Sequence, residues 1–284
     1  MTNGAATNGA TSRFAADLAF ARETAERAGQ ILFERYERVG RIDHKSARDV
    51  VTEVDHLSEA LVIDAIRSRF PGDGILAEES GAHRTTTADA TRGLAVGRTW
   101  VIDPLDGTIN YANGIPFFCV ALALVVDGRP AVGVIRDPMR GETFAADADG
   151  PAVLGGTRIE ASDKAKLEDC VVSLALGGRS VATRVRAIRK AIRVSRNMGS
   201  AALALAYVAN GRFDAFLQSA GMSAWDVAAA GLIAERAGAT VTDMAGGTWF
   251  DVDRATRSFG MVAAPPQHHA ELLRLASEPV APRQ

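Results

Sequence analysis

Residues 100–111 read WVIDPLDGTINY, a strand-like apolar run that closes on two carboxylates, Asp103 and Asp106, and then on a glycine and a threonine. Both carboxylates turn toward one point if Pro104 stops the strand, and Gly107 then lets the backbone bend closely enough for its N–H groups to face an anion. A second acidic pair, Glu78 and Glu79, ends the apolar run GILAEESG, and Asp226 follows Trp225 at the head of an Ala-rich segment that reads as a helix. Carboxylates gathered in this way are hard oxygen ligands for Mg2+, which takes carboxylate, carbonyl, water and phosphate oxygens in preference to nitrogen or sulfur. Metal-assisted phosphate chemistry needs such a set. Taken singly, each acid also has a plainer reading: Asp103 and Asp106 as turn formers, Asp55 and Asp226 as helix caps, Glu79 as a surface charge.

The elements that must carry these residues alternate along the chain. Residues 14–39 place Phe14, Leu18, Ala21, Ala25, Ala28, Leu32 and Tyr36 at helical spacing and predict an amphipathic helix. Asp55 opens a second helix, which Pro71 and Gly72 terminate. The runs FFCVALALVV, PAVGVIRD and ETFAADA, separated by Asp127-Gly128 and by residues 138–141, predict an antiparallel meander. A hairpin signal at Gly155-Gly156 closes the first half near residue 157. Beyond it, the strands DCVVSLAL, IRVSRNMG, FDAFLQ, ATVTD and FGMVAA alternate with helices expected over 181–192, 200–210, 223–238 and 266–277. The pattern predicts a disordered tail over 1–12, an α+β subdomain over 13–157 and an α/β subdomain over 158–284. The acidic cluster falls at their junction, where ligand sites tend to lie.

With 284 residues, 47% of them hydrophobic and 23% charged, the chain has the composition of one large domain or two packed ones, and not of a disordered protein. A net charge of -2 argues against a nucleic-acid or anionic-membrane surface. No segment supplies the ~18 uninterrupted apolar residues of a membrane helix, and the small, polar N-terminus lacks a basic or apolar leader, so a cytoplasmic protein is expected. Cys119 and Cys170 sit in separate apolar runs and read as buried free thiols. The histidines show no zinc spacing, with His268-His269 reading as a solvated helix start, and no serine-hydrolase pattern is present.

Four spaced segments, DVVTEVD, AEES, DPLDGTINY and SAWDVAAAGLIAERAG, resemble in order the signatures of the inositol monophosphatase family of magnesium-dependent, lithium-sensitive sugar phosphatases. The resemblance runs over residues 14–275 and implies a five-layered α-β-α-β-α sandwich that forms a homodimer. It implies Glu78, Asp103 and the Leu105 carbonyl as ligands of one Mg2+, and Asp103, Asp106 and Asp226 as ligands of a second. Two cations ~4 Å apart would polarise the phosphoryl oxygens, lower the pKa of a water and stabilise the leaving alkoxide. Thr108 would orient the attacking water, with Asp55 beside it able to help hold a third, weaker ion and Glu79 in support. The phosphate would meet the Gly107 and Thr108 N–H groups near Glu78, Leu105 and Asp106. The alcohol half would meet Gly199, Ser200, Ala201, Gln218 and Asp226.

One departure bears on substrate. Where the family's inositol enzymes carry a glutamate shortly before the Trp-Asp pair, this chain reads FLQSAG, with an apparent one-residue insertion and the neutral Gln218. Inositol 1-phosphate stays the first substrate implied. Histidinol phosphate, fructose 1,6-bisphosphate and 3′-phosphoadenosine 5′-phosphate are the others, the last two needing a basic residue near the site, for which Arg196 is the sequence candidate. A reading of another class is a regulatory binding protein, whose acidic partner would meet the basic helix of Arg184, Arg186, Arg189, Lys190 and Arg193; such a stripe also serves as a solvated face.

Overall fold

The computed structural model describes residues 12–37, 42–46, 49–83, 94–178, 181–254 and 256–277. All but the last residue of the expected tail over 1–12 lies outside them. Helix α1 (Ala15–Arg35) buries Ala21, Ala25, Ala28 and Leu32 as their spacing predicts, and Tyr36 leaves helical geometry at ψ 134°, so the helix stops short of Val39. Strands β1 (Ile42–Ser46) and β2 (Asp49–Thr52) pair as an antiparallel hairpin that the sequence pattern did not announce, leading into α2 (Glu53–Arg69). Asp55 does not open this helix. Thr52 is the N-cap, its hydroxyl accepting from the Val54 N–H, while Asp55, a turn inside, accepts the Thr52 N–H in a capping box.

Next come β3 (Gly74–Ala77), β4 (Gly81–His83), β5 (Arg98–Asp106), the short helix α3 (Thr108–Ala112), β6 (Cys119–Val126), β7 (Arg129–Asp137), β8 (Glu142–Asp147), β9 (Val153–Leu154) and β10 (Thr157–Arg158). They form one eight-stranded sheet in the order β10-β9-β8-β7-β6-β5-β3-β4. Strands β6, β7 and β8 are the expected meander. Strand β3 runs parallel to β5 with Ala77 opposite Ile102, so the next residues, Glu78 and Asp103, leave the pair side by side.

The remaining elements are β11 (Val171–Ala175), α4 (Val181–Ala191), β12 (Val194–Arg196), α5 (Ala201–Ala209), β13 (Ala215–Met222), α6 (Ala224–Arg236), β14 (Thr240–Asp243), β15 (Phe259–Ala264) and α7 (Pro266–Ser277). Their five strands lie in the order β12-β11-β13-β15-β14, with β11 parallel to both neighbours and β15 antiparallel to both of its own.

Helices α1 and α2 cover one face of the larger sheet, α5 and α6 fill the space between the sheets, and α4 and α7 cover the far face of the smaller one. The result is the α-β-α-β-α sandwich. A helix buried on all sides must be apolar all round, and α5 buries every residue from Ala202 to Ala209. Cys119 and Cys170 are free and buried, as expected. The expectation for His268 and His269 fails: both are buried, His268 Nε2 lying 2.7 Å from the Lys164 carbonyl and His269 Nε2 3.0 Å from Thr242 Oγ1. The start of α7 packs inward, and tertiary contact of this kind leaves no local sequence signal. No described helix is long and apolar enough to cross a membrane.

The middle layer is tight. A Cβ on Gly133 of β7 would lie 2.6 Å from the Ala229 carbonyl oxygen of α6, and backbone cannot yield as a flexible side chain does. Gly133→Ala is therefore expected to destabilise the protein by about 1–3 kcal/mol, read as a lower urea midpoint; an unchanged midpoint would show that the two layers separate freely.

Candidate metal centre

Pro104 does not stop β5. The strand continues to Asp106, and its pairing with β6 steps from Asp103↔Ala121 to Asp106↔Cys119, three residues against two. Proline has no N–H to give the ladder, so the irregularity falls where the donor is missing. The extra residue matters. Residues an odd number apart on a regular strand face opposite sides, and one inserted residue returns Asp103 and Asp106 to the same side.

Oxygens of Asp103, Asp106 and Asp226 all lie within 4.8 Å of one another. Each carboxylate is held by a different device. Asp103 Oδ1 accepts the Leu105 N–H at 3.0 Å. Asp106 Oδ2 accepts the Ser200 hydroxyl at 2.5 Å and the Ala202 N–H at 2.7 Å, which puts it on the N-terminus of α5. Asp226 Oδ2 accepts the Ser223 N–H at 2.5 Å within the capping box of α6, so the plainer reading of Asp226 as a capping residue and its place in the cluster are both true.

The charges oppose one another. Burial, followed by the charges of Glu78, Asp106 and Asp226, pushes the Asp103 carboxyl well above the ordinary range. Burial and the Asp106 charge push Asp226 up to about 7, against the pull of the Ser223 N–H and the Arg257 guanidinium. Asp106 is also raised by burial, with the Ser200 hydroxyl and the first N–H groups of α5 working the other way. Asp103 Oδ2 is buried and has no hydrogen-bond partner among the described residues. A buried carboxylate oxygen without a donor, on a residue clustered with Asp106 and Asp226 and repelled by the charge of Glu78, fits a hard divalent cation.

Around this centre the expected residues divide. Gly107 has φ +98°, and a Cβ there would lie 3.1 Å from the Phe117 carbonyl and 3.2 Å from Ser200 Cβ, so both backbone shape and space call for glycine. It caps α3, whose first residue, Thr108, sets its hydroxyl 3.0 Å from the Leu105 carbonyl and 3.2 Å from Asp55 Oδ1. Asp55 is wholly buried; burial raises its pKa, and bonds from Thr52 and Thr108 oppose the rise. Glu79 is tied to α2 through its backbone, the N–H donating to Glu59 Oε2 at 2.9 Å. Asp106, Gly199, Ser200, Ala201, Gln218 and Asp226 line a cleft of about 270 Å³, with Ser173 and Asn197 completing its polar wall.

Three features lacked a sequence signal. The Ser200 grip on Asp106 spans 94 residues. Asn110 donates to the carbonyls of Phe117 and Met198, both at 2.7 Å, and so ties α3 to the segment that enters α5. The charge of Arg257 acts to lower the Asp226 pKa, whereas Arg196 is exposed on β12 and gives a guanidinium N–H to the neighbouring Ser195 carbonyl.

A model of the inositol monophosphatase family matches residues 15–280. The Nus factor SuhB of Salmonella typhimurium is 37% identical over 238 residues, 81% of this chain and 86% of that protein. A fructose-1,6-bisphosphatase/inositol-1-monophosphatase of Thermotoga maritima is 35% identical over 230 residues, covering 81% and 85%. Among solved structures, extragenic suppressor protein SuhB of Bartonella henselae superposes with a TM-score of 0.83 at 30% identity, over 93% of this chain and 100% of that one.

Two outcomes follow from the geometry. An acid whose folded pKa is raised keeps its stabilising share below the unfolded value and loses it as pH climbs through the folded one. Metal-free protein is thus expected to lose stability between about pH 4 and about pH 7, and Mg2+ to oppose that loss; urea titrations in EDTA and in Mg2+ test this, and a flat metal-free profile would contradict the cluster. Ser200→Ala is expected to weaken divalent-cation binding about 10- to 100-fold by calorimetry, with Ser200→Thr retaining most of it.

Proposed function

The chain belongs to the inositol monophosphatase family, and on that premise we propose that it hydrolyses a small phosphate monoester with Mg2+, inositol 1-phosphate being the first substrate to consider. The observation that carries the reading is the partnerless Asp103 Oδ2 amid Asp106, Asp226 and Glu78. Glu78, Asp103 and the Leu105 carbonyl would hold one ion, Asp103, Asp106 and Asp226 a second, and Asp55 would help with a weaker third. Bound there, Mg2+ neutralises phosphoryl charge and makes water acidic enough to serve as a nucleophile near neutral pH.

The chain's own groups do the rest. The Thr108 hydroxyl, set between the Leu105 carbonyl and Asp55 Oδ1, orients the attacking water, and its proton has an acceptor on either side. The Gly107 and Thr108 N–H groups bind phosphate oxygens. Glu79, anchored to Glu59, supports Glu78. The alcohol half of the ester lies along Gly199, Ser200, Ala201, Gln218 and Asp226, where Ser173, Asn197 and Gln218 supply hydrogen-bonding side chains suited to a polyol. Histidinol phosphate, fructose 1,6-bisphosphate and 3′-phosphoadenosine 5′-phosphate remain alternatives on the same scaffold; the Thermotoga relative's double name supports a bisphosphate. Li+ sensitivity, a homodimer, a cytoplasmic setting and the division into subdomains at residue 157 belong to the same reading.

A second reading, a regulatory binding protein, draws support from curated relatives named Nus factor. The basic helix speaks less strongly for it. Arg184 is bonded to the carbonyls of Ala276 and Gly177, and Arg193 to Asp169, so part of the stripe serves the fold.

Phosphate release from the four named esters, with and without Mg2+, separates the readings. Magnesium-dependent release is expected, and Asp103→Asn is expected to cut it by more than about a hundredfold. No release by folded, Mg2+-binding protein, or a cellular phenotype untouched by Asp103→Asn, would favour the regulatory role.

A further inference from the structure

Strand β11 reads VVSLA and runs parallel to both neighbours, packed on both faces, where an unbroken apolar run is the rule. Val172 and Leu174 join the core beneath α4 and α7, and Val171 packs toward the central layer. Ser173 shares the face of Val171. It is 5% exposed, and no described residue exchanges a hydrogen bond with its hydroxyl. A hydroxyl removed from bulk water without a protein partner costs free energy, so a partner from outside the chain is called for. Ser173 lines the cleft bordered by Asp106 and Asp226, and the cleft is where such a partner can reach it.

The register of the smaller sheet sets what lies beside it. Ser173 stands opposite Phe216 and Ala175 opposite Gln218, and all four line the cleft, so Ser173 lies one pleat back from the strand ends. Gln218 is held by the next feature of its own strand. Between Gln218 and Met222 the pairing of β13 with β15 slips, four residues on one strand passing two on the other, and in that bulge the Ala220 carbonyl accepts a Gln218 amide N–H at 3.3 Å. With its nitrogen engaged there, Gln218 offers its amide oxygen as an acceptor without charge. Apart from Asp106 and Asp226, no residue lining the cleft is charged. A neutral acceptor one strand across from a partnerless hydroxyl suits an alcohol, whose O–H both gives and takes hydrogen bonds; a carboxylate or phosphate would meet no opposite charge there.

We propose that Ser173 is a specificity-determining residue that hydrogen-bonds a free hydroxyl on the alcohol half of the phosphate monoester, one pleat behind Gln218. The inference rests on the phosphatase reading and narrows its substrate class to esters whose alcohol carries a further hydroxyl besides the esterified one.

Two matched pairs test it: inositol 1-phosphate against cyclohexyl phosphate, and sorbitol 6-phosphate against hexyl phosphate, the second member of each lacking the free hydroxyls. The wild-type protein is expected to favour the hydroxylated member of at least one pair in kcat/KM. Ser173→Ala is expected to lower that ratio about three- to tenfold. Ser173→Cys, close in shape but a weak hydrogen-bonding group, is expected to lower it too, and Ser173→Thr, which keeps a hydroxyl, to retain part of it. Because no bond within the protein is removed, Ser173→Ala is expected to keep the wild-type urea midpoint. No preference in either pair, or a ratio that Ser173→Ala leaves unchanged, would overturn the proposal and assign the hydroxyl to water alone. A marked drop in the midpoint would overturn it as well, since the hydroxyl would then serve the fold. Calorimetry of the Mg2+-loaded protein with methylene phosphonate analogues of the same pairs reads the affinity ratio without turnover. A ratio that depends on Ser173 with no phosphate release from the esters counts against the hydrolytic reading and leaves the subsite standing; release with an unmoved ratio does the reverse.

Discussion

Like charges forced together out of water are the constraint around which this molecule is arranged. Carboxylates of Asp103, Asp106 and Asp226 approach within 4.8 Å, and Glu78 adds its charge to Asp103. Left alone, such a set would separate or take up protons. Each member is instead tied to backbone that cannot move independently: a bulge in β5, the parallel end of β3, and the first turns of α5 and α6. Both helix N-termini turn their positive ends toward the cluster, which offsets part of the repulsion.

The layering follows from the same need. Helices α5 and α6 deliver their first turns to the carboxylates because they are clamped between two sheets, and small residues bring them close to both. Ala229 touches the backbone of Gly133, and α5 is buried along nearly its whole length. A surface helix would let its first turn fray, and the Ser200 and Ala202 donors would lose their alignment with Asp106.

Much of this was legible in the sequence where the signal is local. The DPLDGT run announced paired carboxylates and a tight turn, and the Ala-rich segments announced helices whose observed ends agree within a few residues. What escaped depends on distance or on competing local readings. Pro104 looks like a strand terminator, and only pairing with β6 reveals a bulge. Asp55 looks like an N-cap, yet Thr52 lies three residues earlier with a hydroxyl better placed to accept. His268 and His269 are polar at a helix start and are nonetheless buried, because the carbonyl of Lys164 and the hydroxyl of Thr242 await them from elsewhere in the chain. Ser200 reads as the start of a helix and proves to be its N-cap; its second bond, to Asp106, belongs to the tertiary fold.

The partnerless oxygen of Asp103 has a consequence for descent. A carboxylate held in a dry place with one oxygen lacking a donor lowers the stability of the metal-free fold, so the scaffold stands in spite of its centre and not because of it. Any lineage released from selection for hydrolysis would gain robustness by replacing that one aspartate with a neutral residue of similar size. The sandwich, its cleft and its surfaces would outlive the reaction and remain available for other work.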